Sequence, residues 1–146
     1  MKLHELRLKS DAFIQSIDLK IVDSIQSVDR DLIEINKRNM LSSLNAKDES
    51  LIHVLTGVST LSKPYAKRKN KTKPNLYDTG DFQKAMFFSI DENDMTWFID
   101  SEDEKNGILT WAYTNDIFGI PESKTTHAKR LTFGAFVRKY QSEVLR

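Results

Sequence analysis

The first 56 residues contain neither glycine nor proline, and apolar side chains cross that stretch at helical intervals. Ile14, Ile17, Ile21, Ile25, Val28, Leu32 and Ile35 recur at steps of 3, 4, 4, 3, 4 and 3. Such a series lays one stripe along an α-helix. Asp18, Lys20, Asp23, Asp29, Arg30, Glu34 and Lys37 fall between them and supply a charged opposite side. The pattern predicts a helix over 11–38, capped by Ser10 or Asp11 or starting as early as Leu3. It would be about 40 Å long at ~1.5 Å per residue. Lying on a sheet, this helix would bury Ile21 and Ile25 and leave Asp23 in water. A short coiled-coil seam is the competing reading of the same steps.

The rest of the chain changes character twice. Asp48-Glu49-Ser50 resembles a cap before Leu51, Ile52, Val54 and Leu55, and Gly57 follows as a terminator, so a short helix is expected over 48–56. Pro64 and Pro74 then bracket a like-charged stretch, which predicts an exposed, mobile basic loop over 63–74. Beyond it, Phe82, Lys84, Met86, Phe88 and Ile90 alternate with Gln83, Ala85, Phe87 and Ser89 as in a strand. A turn at 91–94 and a strand over 95–100 complete a hairpin. Residues 108–113 read as a third strand or the start of a helix, and 121–129 as a loop. Phe133, Phe136, Val137, Tyr140 and Val144 mark a terminal amphipathic helix with Thr132 as its cap. The expected class is α+β, a long N-terminal helix on an antiparallel sheet with a C-terminal helix. One domain over 1–146 would divide into a helical N-terminal segment (residues 1–60), the basic loop, and a sheet with its terminal helix (residues 76–146).

Charge is segregated along this order. The net charge of +1 hides −1 over 1–60, +6 over 61–75, −7 over 76–107 and +3 over 108–146. Opposite blocks within one small domain suggest self-complementary association more than attraction to a polyanion. There is no cysteine, which excludes disulfides, thiolate metal sites and thiol nucleophiles. The polar start at Met1-Lys2-Leu3-His4-Glu5 lacks a signal peptide's apolar core. No run approaches the roughly 18 apolar residues of a membrane span. A soluble, intracellular chain without membrane contact is the expectation.

Catalytic motifs are sparse. Asp78-Thr79-Gly80 resembles the aspartic-protease signature, in which two aspartates share a proton and activate water. Here it follows a helical stretch, and the downstream apolar-apolar-Gly-Arg element is missing. It reads better as a tight turn, with Asp78 and Thr79 accepting local backbone N–H groups and Gly80 at positive φ. His4, His53 and His127 are scattered without ligand spacing. Asp91, Asn93, Asp94, Asp100, Glu102, Asp103 and Glu104 form an acidic hairpin but no calcium loop. Gly-rich phosphate loops are absent, and no cofactor or metal is implied. The basic loop 63–73 has the charge to bind nucleic acid, with Tyr65 and Tyr77 nearby for stacking.

The middle of the chain carries a family pattern. Leu61-Ser62-x-x-Tyr65-Ala66-Lys67-Arg68-Lys69 is followed by Leu76-Tyr77-Asp78-Thr79-Gly80-Asp81-Phe82-x-x-Ala85-Met86. This resembles the phage virion-morphogenesis family, the tail-completion and head–tail connector (neck) proteins of tailed bacteriophages. Phe82 stands where the family has leucine. Trp111-Ala112-Tyr113 through Gly119 lies loosely where it has Tyr-Ala-x-x-His-x-x-Gly, and the histidine is absent. The segment before the last helix is reduced to Lys129-Arg130-Leu131-Thr132-Phe133.

The resemblance implies a non-enzymatic virion protein, assembled in the host cytoplasm into a homo-oligomeric ring that docks other neck or tail proteins. A ring needs a heterologous interface that closes. Lys67, Arg68, Lys69, Lys71 and Lys73 would form one half, and Asp91, Glu92, Asp94, Glu102, Asp103 and Glu104 the other. Thr79 and Gly80 would fix the turn that feeds the sheet. The same basic loop would alternatively face DNA in the channel. A small nucleic-acid-binding or accessory protein is the competing function, and an aspartic protease the more remote one.

Overall fold

A computed structural model describes residues 2–91, 93–94 and 96–146. The chain is α+β: seven α-helices and one two-stranded antiparallel sheet among the described residues. The expected long helix is instead three: α1 (Leu3–Gln15), α2 (Ile17–Gln26) and α3 (Asp29–Leu41). Serines make the breaks. Ser16 Oγ donates to the Ala12 and Phe13 carbonyls at 3.2 and 3.3 Å, and Ser27 Oγ donates to the Ser24 carbonyl at 2.7 Å. Hydroxyls that return to the preceding turn compete with the helical ladder and bend it. Each break rotates the buried face. Phe13, Val22, Val28, Leu32 and Ile33 are buried, while Ile14 stays 60% exposed.

The three helices also have different partners. α1 and α2 pack on the C-terminal helix α7 (Thr125–Val144), and only α3 packs on the sheet. Phe13 meets Phe136 and Tyr140 edge-on, with ring centroids 5.6 and 5.2 Å apart. Asp23 is exposed, as expected, and also binds Lys139 of α7 at 2.6 Å. The lysine holds the Asp23 carboxyl below its ordinary range. α7 begins seven residues before Thr132, whose hydroxyl donates to the Ala128 and Lys129 carbonyls inside the helix and caps nothing. Its buried residues are Ala128, Ala135 and Val144, whereas Phe133 points outward.

Residues 48–56 are not helical. Isolated bridges join Leu44 to Ser50 and His53 to Val58, and Leu51 is buried between them. Asp48 does cap, but at a distance: its carboxylate accepts from Ser123 N and Oγ at 2.8 and 2.9 Å, at the start of the 3-10 turn Glu122–Lys124.

Residues 63–69, expected as a loop, form helix α4 (Lys63–Lys69). Pro64 lies in its first turn, and Asn70 ends it in the left-handed region at φ 51°. Proline fits a first turn because the N–H that it lacks would have no helical partner there anyway, and asparagine tolerates the left-handed terminus. The strand expected from residue 82 starts later. Asp81–Lys84 is a single helical turn, α5, which leads into β1 (Met86–Asp91). β1 pairs with β2 (Thr96–Ser101) from Met86 opposite Ser101 to Asp91 opposite Thr96. Residues 106–113 are helix α6 (Asn106–Tyr113).

Two apolar clusters result. One gathers Ile33, Met40, Leu51, Phe82, Met86, Ile99 and Ile117 under the sheet. The other gathers Val28, Leu32, Ala128 and Ala135 between α3 and α7. Phe88 and Ile120 pack against both. Asn36, fully buried, donates from Nδ2 to the Ile117 carbonyl at 2.9 Å and ties α3 to the segment after α6. No described helix is long and apolar enough to cross a membrane.

Candidate interaction site

The Leu76–Gly80 turn is built on two left-handed residues, Leu76 at φ 52° and Gly80 at φ 89°. A Cβ on Gly80 would meet the exposed Tyr77 ring at 3.1 Å, a tight contact added to the strain of a positive φ, so glycine suits the position. Thr79 Oγ1 donates to the Asp81 carboxylate and accepts from Asp81 N at 3.4 Å, as expected of a turn residue. Asp78 departs from that expectation. Its carboxylate accepts from Lys69 Nζ, and Lys105 Nζ approaches to 3.8 Å.

The Lys69–Asp78 pair closes one side of a cleft between α4, the turn, α5 and α6. Tyr65, Tyr77 and Tyr113 line it, with Lys105 at the rim and Gln83 in the wall. Gln83 Nε2 donates to the Leu76 carbonyl at 2.8 Å, while its buried Oε1 has no partner. Hydrogen bonding and charge from Lys69 lower the Asp78 pKa, and the same bond raises that of Lys69. The Thr79 hydroxyl, then Lys84, lower the Asp81 pKa. A proton-sharing aspartate needs surroundings that resist ionisation. Those of Asp78 and Asp81 favour it.

The expected interface residues fall on two separate elements. Lys67, Arg68 and Lys69 lie on α4, with Lys71 and Lys73 just beyond. Lys69 is committed to Asp78, and the Arg68 guanidinium lies 4.7 Å from the Tyr65 ring centroid. Lys67, Lys71 and Lys73 are exposed. On the acidic side, Asp91 accepts from Asn93 N and Asp94 from Thr96 N, both at 2.9 Å, so these two carboxylates shape the hairpin turn. Glu92 lies outside the described residues. Asp103 accepts from Lys105 N at 2.8 Å before α6, whereas Glu102 and Glu104 are exposed. Among the described residues, no ion pair joins the basic set to the hairpin set.

Sequence reasoning missed the apolar surface beside these charges. Trp97 stacks on Phe88 at 5.5 Å and Phe98 sets its edge to Phe87 at 6.4 Å, yet both remain partly exposed. Strand alternation was the available signal: it sends Trp97 to the face of Phe88 and Ile99, and Phe98 to the opposite face beside Phe87. A second apolar groove runs between α2 and α7, lined by Ile17, Ile21, Ile25, Phe133 and Phe136. Among the described residues no group of three or more His, Asp or Glu is placed to hold a metal ion.

Neither protein-family models nor curated proteins nor solved structures give a significant match to this chain.

Proposed function

We propose that this chain is a structural subunit that closes into a ring with copies of itself, of the kind that completes a phage tail or joins it to the head. The observation that carries this reading is the unspent charge: the basic α4 segment and the acidic hairpin leave each other unpaired within one small domain. A basic surface on one subunit set against an acidic surface on the next makes a heterologous contact, and such contacts close when the rotation between subunits divides a full turn. Phe98, 48% exposed and packed with Phe87 on the hairpin face away from the core, adds the apolar patch that a stable contact needs beside its charged rim. The motif resemblance across 61–86 supports the same setting, with other neck or tail proteins as further neighbours in the virion. The role requires no catalytic residue and no cofactor.

Negative-stain electron microscopy over a protein concentration series, with sedimentation in parallel, tests the reading. Closed particles of uniform diameter are expected at low salt. A chain that stays monomeric at every concentration, and also with neck or tail proteins added, contradicts it.

A further inference from the structure

Helix α7 carries the second basic surface of the molecule, and the proposed ring contact does not use it. From Thr125 to Ser142 the helix has four lysines and arginines and no acid. Arg130 and Arg138 stand two turns apart on one exposed face, Lys124 precedes the helix, and Arg38 of α3 joins Arg130 across a groove. Ile35, Asn39, Ser42, Ser123, Thr126 and His127 complete that groove, whose lining residues include no acid. None of these four cations forms an ion pair among the described residues. The nearby acids are Glu34, which holds Lys37 at 3.3 Å, Asp23, which holds Lys139 at 2.6 Å, Asp48, which accepts from Ser123 N and Oγ, and the exposed Asp31 and Glu122.

Gly134 is an independent sign. It sits midway between Arg130 and Arg138 on the same face, inside a 20-residue helix. Glycine is the poorest helix former after proline. Nothing in the chain demands it here, because a Cβ at Gly134 would meet only Arg138 Nη1, at 3.5 Å. A residue that weakens the helix without relieving any internal contact suits a position where something external comes close to the backbone.

We propose that this face of α7, with Arg38, binds the phosphodiester backbone of a nucleic-acid duplex without reading its sequence. From Lys124 to Arg138 the stripe is ~21 Å long at ~1.5 Å per residue, about six phosphates of one strand at ~3.4 Å each. A protein partner would bury an apolar centre, and the centre of this stripe is a bare glycine. A second copy laid stripe against stripe would oppose arginines to arginines. A linear polyanion meets neither obstacle.

The test is fluorescence anisotropy with two labelled duplexes of unrelated sequence across a salt series. Equal affinity for the two is expected, with a log–log salt slope near −3.6 for about four neutralised phosphates. Arg130→Gln with Arg138→Gln should cut affinity at low salt at least tenfold and flatten the slope by about two, one for each lost phosphate contact. Gly134→Gln should melt no lower than the native chain yet bind at least threefold more weakly. Arg7→Gln with Lys84→Gln, two exposed cations outside both proposed surfaces, should bind as the native chain does. Native-like binding by the double arginine variant overturns the proposal, as does native-like binding by Gly134→Gln. An equal loss of binding in the Arg7/Lys84 variant shows a response to net charge rather than to this face and also overturns it. If the double arginine variant instead loses self-association in light scattering while keeping its duplex affinity, the face belongs to a second copy.

Discussion

Two basic regions, α4 and α7, are held in the molecule in opposite ways. α4 has seven residues, none buried, and is tethered by Lys69 to Asp78 and by the turn that ends in Gly80. α7 is embedded, with Ala128, Ala135 and Val144 buried and Phe136 and Tyr140 against Phe13. Isolated helices shorter than about 12–15 residues are marginal in water, so α4 depends on its tethers. α7 depends on the core. Lys69 is thus spent holding α4 in place and Lys139 is spent pinning α2 through Asp23, whereas Arg130 and Arg138 stay available on the outer face of α7.

Substitutions that separate the two anchorages sharpen this contrast. The largest effect is expected at Leu32, buried between α3 and α7. Leu32→Ala should cost roughly 2–5 kcal/mol in denaturant unfolding, because the removed atoms leave a cavity. A smaller cost would mean that α7 is held more loosely than its burial indicates. Gly80→Ala comes next, at about 1–2 kcal/mol for a side chain forced into the left-handed region. Some of that effect should appear as loss of α4 order, read by amide exchange over 63–69.

The tether itself should titrate. The folded Asp78 pKa lies below the ordinary 3.8, so its contribution is complete above 3.8 and disappears as pH falls through the lower folded value. Lys69 is raised above 10.5, so its contribution is complete below 10.5 and fades as pH climbs through the higher value. NMR shifts of the α4 amides should therefore move at both extremes and stay constant between them. Asp78→Asn should abolish the acid limb. An α4 that titrates in the neutral range would break the assignment of its anchor. The smallest effect belongs to Ile14, which the sequence stripe marks as core and the fold leaves outside. Ile14→Ala should alter stability by no more than about 0.5 kcal/mol in thermal melts.

The fold class and the hairpin were legible because both rest on periodicity, which local residues set. The helix breaks were not, since apolar spacing continues through them and only the serine hydroxyls of Ser16 and Ser27 reveal the bends. For α4 the signals were present: Pro64 suits a first turn and Asn70 a left-handed terminus, but like charge between two prolines suggested a loop. Phe82 extended the apparent strand because it is apolar, while Gly80 and Thr79 were already turning the chain into α5. On the surface, charge sign was readable and charge availability was not. Lys69 and Asp78 are nine residues apart in the chain, and nothing in their spacing says that they meet.

The proposed charge contact between subunits is tested most directly by swapping the signs of residues that shape nothing else. Lys67 and Lys71 are exposed on the basic side, and Glu102 and Glu104 on the acidic side. Light scattering should show assembly by the native chain that weakens with salt, since the Debye length is only ~8 Å at physiological ionic strength. Lys67→Glu with Lys71→Glu should abolish it, and so should Glu102→Lys with Glu104→Lys, while all variants melt as the native monomer does. The four changes together should restore assembly, because the attraction is rebuilt with opposite signs. A fourfold variant that stays as dispersed as either double variant would contradict the contact between α4 and the hairpin.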